Sequence, residues 1–331
     1  MYTSYDNIGL LKVLKFLKSH EDDFLSGQDL SDVLKISRVA VWKHIKTIKS
    51  LGYKIESKQK LGYRLVKNSE KLLPWEITDG LKTQTVGKKV YYFDTIDSTQ
   101  NYAIEISKKK SESGSVVISQ RQTAGRGRMN RKWITVKGGL SMSVVLHPKF
   151  DASVSTLFPM AASLALASAI QKTMNIKPNV KWPNDVVIKG KKVAGMIVDA
   201  SIQSNLIESM VLGVGINFKV DTKHLESQLK GTKNFYGVAS LLKVDNTTNP
   251  LEIVQNFFSE LEKIIVLLDQ GETSKIIQRW EKISSTIGKK VSVKTNDGII
   301  TGFAKKINSD GSLNIVKNGK TQRLLVGDIS I

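Results

Sequence analysis

The segment Ser119-Gln-Arg-Gln-Thr-Ala-Gly-Arg-Gly-Arg-Met-Asn-Arg-Lys-Trp133 crowds four cations, Arg126, Arg128, Arg131 and Lys132, around two glycines, Gly125 and Gly127. Like charges held this close repel, and an anion relieves the repulsion. Guanidinium forks match carboxylate and phosphate oxygens bidentately, and glycine lets the backbone approach a ligand closely. The anion is either a small ligand or a nucleic-acid backbone, since Arg-Gly mixtures also occur in RNA-binding tails. Trp133 and the flanking strand patterns argue for a loop embedded in a fold.

Other short motifs read in two ways. Ser98-Thr99 suits a helix N-cap ahead of Asn101–Lys110. Lys181-Trp-Pro-Asn-Asp185 could be a strand end with a turn or a functional segment. Gly213-Val-Gly-Ile-Asn217 is either a β-bulge without a ligand or a segment whose terminal amide reads a base. The chain has no cysteine and only 4 histidines. A disulfide framework, a thiolate-bound zinc, an iron–sulfur cluster and a cysteine nucleophile are therefore excluded, and an all-histidine metal site is not expected.

These groups must be positioned by a chain of 331 residues, 40% hydrophobic and 24% charged, with 6 prolines. That is an ordinary folded composition with room for two or three domains. The formal net charge is +20, so the partners include polyanions. Residues 30–67 hold ten basic side chains against Asp32 and Glu56, and 121–132 hold five with no acid. The N-terminus lacks the layout of a secretory signal. The longest apolar stretch, Leu157–Ile170, is short of the roughly 20 residues that span a bilayer; a soluble, cytoplasmic protein with no membrane partner is expected.

Ile8, Leu11, Leu14 and Leu17 share one helical face. Ser26 and Ser37 are expected N-caps of helices over about 26–35 and 37–51, a helix-turn-helix. Tyr53–Ser57 and Leu61–Val66, joined by Lys58-Gln59-Lys60, read as a wing. The second helix carries Arg38, Lys43, Lys46 and Lys49, as a recognition helix would; Trp42 and Ile45 are expected on its core side. After a linker at 68–75, the strand and helix patterns of 76–283 do not alternate strictly, which implies α+β with one mixed sheet. Residues 287–331 are short strands divided by Asn296-Asp297-Gly298, Ser309-Asp310-Gly311 and Asn318-Gly319, a small barrel.

The order Asp97-Ser98-Thr99, Ala124-Gly-Arg-Gly-Arg128 with Arg131-Lys-Trp133, Lys181–Asp185, Lys192-Val-Ala-Gly195 and Gly213–Asn217 resembles biotin protein ligase. With the basic helix-turn-helix in front, the resemblance covers essentially the whole chain and points to the bifunctional form, a ligase that is also the biotin operon repressor. It implies a winged helix-turn-helix domain over 1–68, a biotin- and ATP-binding ligase domain over 76–283 and an SH3-like β domain over 287–331. It implies formation of biotinyl-5′-AMP from biotin and ATP with Mg²⁺, then transfer to a lysine of biotin carboxyl carrier protein.

The family's motifs assign Arg126 and Arg128 to the carboxylate and phosphates, and Lys192 to their junction. They assign Ser98, Thr99, Gln100, Gln122, Gly127 and Trp133 to biotin, and Arg131, Lys181, Gly213, Gly215 and Asn217 to the nucleotide. Asp185 either orients Mg²⁺ or accepts a proton from the incoming amine. Gln100 stands where many relatives have asparagine, and the adenine-covering tryptophan has no clear counterpart; Phe235 or Tyr236 is the candidate replacement. Ser37, Arg38, Lys43, Lys46, Lys58 and Lys60 would meet operator DNA, with a homodimer formed when biotinyl-AMP is bound. Two other readings stay open: a ligase whose N-terminal domain does not regulate, and a ligand-sensing transcription factor without ligase activity.

Overall fold

The computed structural model describes residues 2–3, 7–20, 23–229, 236–244, 248–295, 298–325 and 327–330. The chain divides into two compact units, Thr3–Glu76 and the remainder.

The smaller unit has helices α1 (Ile8–Lys18), α2 (Gly27–Leu34) and α3 (Arg38–Ser50) and the hairpin β2 (Lys54–Lys58) and β3 (Gly62–Lys67). Ser26 caps α2 in a reciprocal capping box with Asp29, and the Ser37 hydroxyl accepts from the Ala40 N–H at 3.2 Å. Each cap satisfies an orphan donor, so the two helices start where the serines stand. Lys35, in the left-handed conformation, ends α2 and leaves a tight turn before α3. Leu10, Leu14, Leu17, Leu30, Val41, Ile45 and Ile48 form the core. Trp42 departs from expectation: it is 53% exposed, with the Lys46 ammonium 5.4 Å from its ring centre. The α3 face that carries Val41, Ile45 and Ile48 fills the core, and Trp42 falls off that face.

Helix α4 (Pro74–Thr78) leads into the larger unit. Its main sheet has the order β1 (Tyr2–Thr3), β4 (Val90–Ile96), β5 (Val116–Gln122), β6 (Gly139–Leu146), β10 (Leu206–Asn217), β9 (Lys191–Gln203), β8 (Asp185–Ile188) and β7 (Asn179–Lys181). The β4–β5 pair is parallel, whereas the pairs from β5 through β7 are antiparallel. The sheet is mixed, as the non-alternating pattern implies. The short β7 and β8 are too brief to show a period of two and escape a reading of the sequence; so does the largely polar α7 (Thr222–Leu229).

Helix α5 (Thr99–Ser107) lays Ala103 against Tyr91, Val117, Val145 and Val211 of the sheet. Helix α6 (Phe158–Thr173) is apolar nearly all round and correspondingly buried, packed on α8 (Pro250–Asp269), α9 (Thr273–Lys282) and the β7–β9 end of the sheet. Phe257, Phe258 and Trp280 are fully buried there, each stabilising the unit by about 2–3 kcal/mol.

Strands β11 (Lys290–Thr295), β12 (Gly298–Ile307), β13 (Leu313–Lys317), β14 (Lys320–Leu324) and β15 (Asp328–Ser330) form a separate barrel-like antiparallel sheet in the order β14-β13-β12-β11-β15. Asn318 and Gly319 both have positive φ, as their hairpin turn requires; Asn296 and Asp297 lie outside the described residues. This sheet belongs to the same compact unit as the main sheet. The Trp182 indole donates to the Gly311 carbonyl at 3.0 Å, and Glu281 accepts from the Ile307 N–H at 2.7 Å. Among the described residues no helix is long and apolar enough to cross a membrane.

Candidate functional site

The site begins at the sheet. In the β6–β10–β9 register, Ser141 stands opposite Gly215 and Gly215 opposite Gly195, while Ser143 stands opposite Gly213. Residues directly opposite, and residues two apart, share a face, so two serines and three glycines form a floor of minimal bulk. A side chain at Gly213 would meet Gln100 and Ile197; one at Gly215 would meet the Trp133 ring; one at Gly195 would meet Lys192 and Asp185. The glycines therefore admit close approach from above. The cavity over this floor is about 460 Å³.

Every ligase residue singled out in the sequence within the described segments lines it: Ser98, Thr99, Gln100, Gln122, Arg126, Gly127, Arg128, Arg131, Trp133, Lys181, Asp185, Lys192, Gly213, Gly215, Asn217 and Tyr236. Phe235 lies outside the described residues. Gly213 lies under Gln100 and Gly215 under Trp133.

One end is rich in hydrogen-bonding groups. Thr99 donates from its N–H and its hydroxyl to Gln122 Oε1 at 2.8 and 3.1 Å, and its Oγ1 is 2.9 Å from Ser143 Oγ. Gln100 donates to Asp199 Oδ2 and the Val211 carbonyl and accepts from Ser143. Ser98 occupies the N-cap position of α5 but its side chain makes no cap bond. Its hydroxyl is fully buried and without a protein partner, and a buried polar group in that condition calls for a ligand or solvent partner. The helix-cap reading of Ser98 is thus set aside by the geometry. Asp97 is held below the usual carboxylate range by the Asn101 amide and the Ser98 N–H.

The other end is ionic. Lys192 Nζ lies 2.6 Å from Asp185 Oδ1, and the Tyr236 hydroxyl donates to Asp185 Oδ2 at 2.5 Å. Lys181 Nζ sits 3.3 Å from the Tyr236 ring centre. Between the ends, Trp133 lies across Gly215, with Lys192 Nζ 5.7 Å from its ring centre. The Asn217 amide donates to the Lys192 carbonyl at 3.3 Å.

The arginine loop is a small hairpin, not a tail. Trp133 donates to Gly125 and Gly127 to Arg131 through the backbone at 2.9 and 2.7 Å, and Met129 and Asn130 take positive φ at the turn. Arg128 donates to Asn184 Oδ1 at 2.9 Å, and Arg126 donates to Asn101 and to Asp199 at 3.3 and 3.2 Å. Asn184, Asp199 and Ser143 are functional neighbours that residue spacing does not reveal. Asn184 sits inside the Lys181–Asp185 motif, and that location is the one available signal.

Among the described residues, Asp185 is the one acidic side chain lining the cavity, and its oxygens face Lys192 and Tyr236. Among the described residues no three acidic or histidine side chains converge.

In the smaller unit, Ser37 serves as the α3 cap, and Arg38, Lys43, Lys46, Lys58 and Lys60 are all exposed. Lys58 Nζ and the Arg64 guanidinium stack on Phe24 at 4.9 and 4.6 Å, which braces the wing.

Fold and site together define a ligase of the biotin/lipoate type that also carries a helix-turn-helix: residues 92–217 match the biotin/lipoate A/B protein ligase family and 10–64 a helix-turn-helix domain. The bifunctional ligase/repressor BirA of Bacillus subtilis is 32% identical over 311 residues, 94% of each chain. The Escherichia coli protein of the same name is 27% identical over 328 residues, 98% of each. The chain belongs to this bifunctional biotin ligase/repressor family. The biotin protein ligase of Aquifex aeolicus, solved in complex with biotin and ATP, shares the fold with a TM-score of 0.61 at 22% identity, over 73% of this chain and 98% of that one.

Proposed function

We propose that the cavity residues divide between the two half-reactions of a biotin protein ligase. The chain joins biotin to ATP and transfers the biotinyl group from biotinyl-5′-AMP to a specific lysine of biotin carboxyl carrier protein, and it is a biotin-responsive repressor. The observation that carries the assignment of roles is the order of the cavity. Hydrogen-bonding groups beside the Arg126–Asp199 ion pair come first, then Trp133 over a glycine floor, then the ammonium groups of Lys192 and Lys181. Biotin has the same order: a neutral ureido head, an apolar ring and chain, and a terminal carboxylate. The unpartnered Ser98 hydroxyl, with Thr99, Gln100 and Gln122, would meet the ureido group.

In the first half-reaction a carboxylate oxygen attacks the α-phosphorus and pyrophosphate leaves. The two reactants are anions, so fixed cations lower the barrier. Lys192 takes the junction, Arg126 and Arg128 the carboxylate and phosphates, and Lys181, Arg131 and Asn217 the nucleotide. Mg²⁺ enters with ATP as part of the substrate. In the second half-reaction the lysine amine attacks the acyl carbon, AMP leaves, and the nitrogen loses a proton, for which Asp185 is the carboxylate at hand. The protein acts in the cytoplasm, and biotinyl-AMP ordering the arginine loop would shift it toward an operator-binding dimer.

Arg128→Ala and Lys192→Ala should abolish biotin-dependent pyrophosphate release while melting curves stay in place. Unchanged release in both variants would overturn the assignment. A gel shift on the organism's own biotin-gene promoter should depend on biotin plus ATP; a promoter unshifted both with and without them would leave a ligase only.

A further inference from the structure

Resting on that reading of the cavity, we propose that Tyr236 is a positioning residue that acts through its phenol on Asp185, not a ring that covers adenine. The segment that carries it is seated by backbone bonds. Lys192 N–H donates to the Gly237 carbonyl at 3.0 Å, and Ala239 N–H donates to the Lys192 carbonyl at 2.9 Å, in a parallel bridge of Lys192 with Val238. The start of β9 and residues 236–239 therefore move as one piece.

From that piece two groups reach the same carboxylate. Lys192 Nζ takes Asp185 Oδ1 at 2.6 Å and the Tyr236 hydroxyl takes Oδ2 at 2.5 Å. The second torsion of an aspartate is soft, so a carboxylate held by one ammonium can swing, carrying the ammonium with it. An ion pair at one oxygen and a hydrogen bond at the other stop the swing. The Tyr236 phenol thus fixes the plane of Asp185, and Asp185 fixes the direction of the Lys192 ammonium at the carboxylate–phosphate junction. The ring has a separate partner: the Lys181 ammonium lies 3.3 Å from its centre, a distance at which cation–π attraction holds the lysine in place. One tyrosine thereby sets two cations, Lys192 through its hydroxyl and Lys181 through its ring face.

The two parts of the side chain can be removed separately. Tyr236→Phe keeps the ring and loses only a hydrogen bond to a charged group, which should lower kcat for biotin-dependent pyrophosphate release about tenfold or more while the ATP KM stays within twofold. Asp185→Asn should be impaired in the same step. The Tyr236→Phe/Asp185→Asn double variant should be no slower than Asp185→Asn alone, because a pair acting as a unit is not additive. A Tyr236→Phe enzyme with wild-type kcat, alongside a Tyr236→Leu enzyme whose ATP KM rises severalfold, would overturn the proposal in favour of an adenine cover. Multiplying effects in the double variant would overturn it too. Thermal melts check folding, and Tyr236→Phe decides alone should Tyr236→Leu fail to fold. The wild-type control separates the two readings: absent biotin-dependent release there would strike the ligase assignment itself.

Discussion

Gly215→Ala tests where the ligand lies. The added Cβ would stand 2.7 Å from the Trp133 indole nitrogen and closer still to two ring carbons. Gly215 is not among the glycines with positive φ, so the backbone accepts alanine and the whole effect falls on the tryptophan. If the ring stayed, overpacking would cost about 1–3 kcal/mol of stability. Trp133 is only half-buried at the rim, tied through its backbone to Gly125, so the ring can swing outward more cheaply than it can be compressed. The cost then appears in binding. Losing one aromatic wall over the ligand removes about 1.5–3 kcal/mol of apolar burial, which is about a 10- to 100-fold rise in the biotin KM. Lys181 and Asn217 are not displaced, and the ATP KM should stay within twofold. The assay is pyrophosphate release with biotin varied at saturating ATP and the reverse, beside a thermal melt. A biotin KM within twofold of wild type would refute the placement of biotin against Trp133.

Glu112 offers a pH test of the larger unit. Burial pushes its carboxyl up, but bonds from Lys89, Ser115 and Tyr91 at 2.5, 2.7 and 2.9 Å prevail and hold it below the ordinary 4.5. A depressed folded value stabilises the protein above the ordinary value, and the stability is lost as pH falls through the folded one. Glu112→Gln should therefore cost about 1–2 kcal/mol near neutrality, the Lys89 side of the pair being half exposed and screened, and the gap to wild type should close in melts below pH 4.5. A gap constant with pH would refute this. In the smaller unit, Arg38→Ala and Lys46→Ala should each weaken operator binding and lower its salt slope by about one, with ligase kinetics unchanged. Trp42→Ala should weaken DNA binding without lowering the melting temperature, because the side chain is 53% exposed; a large loss of stability would return it to the core.

Elements and chemistry were legible wherever residue type alone decides. Ser26 and Ser37 mark helix starts because a short polar side chain reaches the orphan amides from outside. Pro250–Asp269 is legible from its apolar stripe, and the thirteen net positive charges of 30–67 and 121–132 mark the two anion-binding segments. The arginines, Lys192 and the hydroxyl pair carry their chemistry in their side chains, and their order carried the resemblance to biotin protein ligase that implied the reaction class.

What the tertiary structure alone decided is who faces whom. Trp42 is an outward residue on a helix whose inward face was already full. Ser98 stands at a cap position without capping, which frees its hydroxyl for the cavity. Ser141, Ser143 and the three glycines become a floor only through a strand register joining residues that are far apart in sequence. Asp185 is bound up with Lys192 and Tyr236, and Arg126 with Asp199 some 73 residues away. A hydrogen bond depends on distances within a few tenths of an ångström. Local sequence carries the donors and acceptors, whereas the packing of separate strands and loops sets those distances.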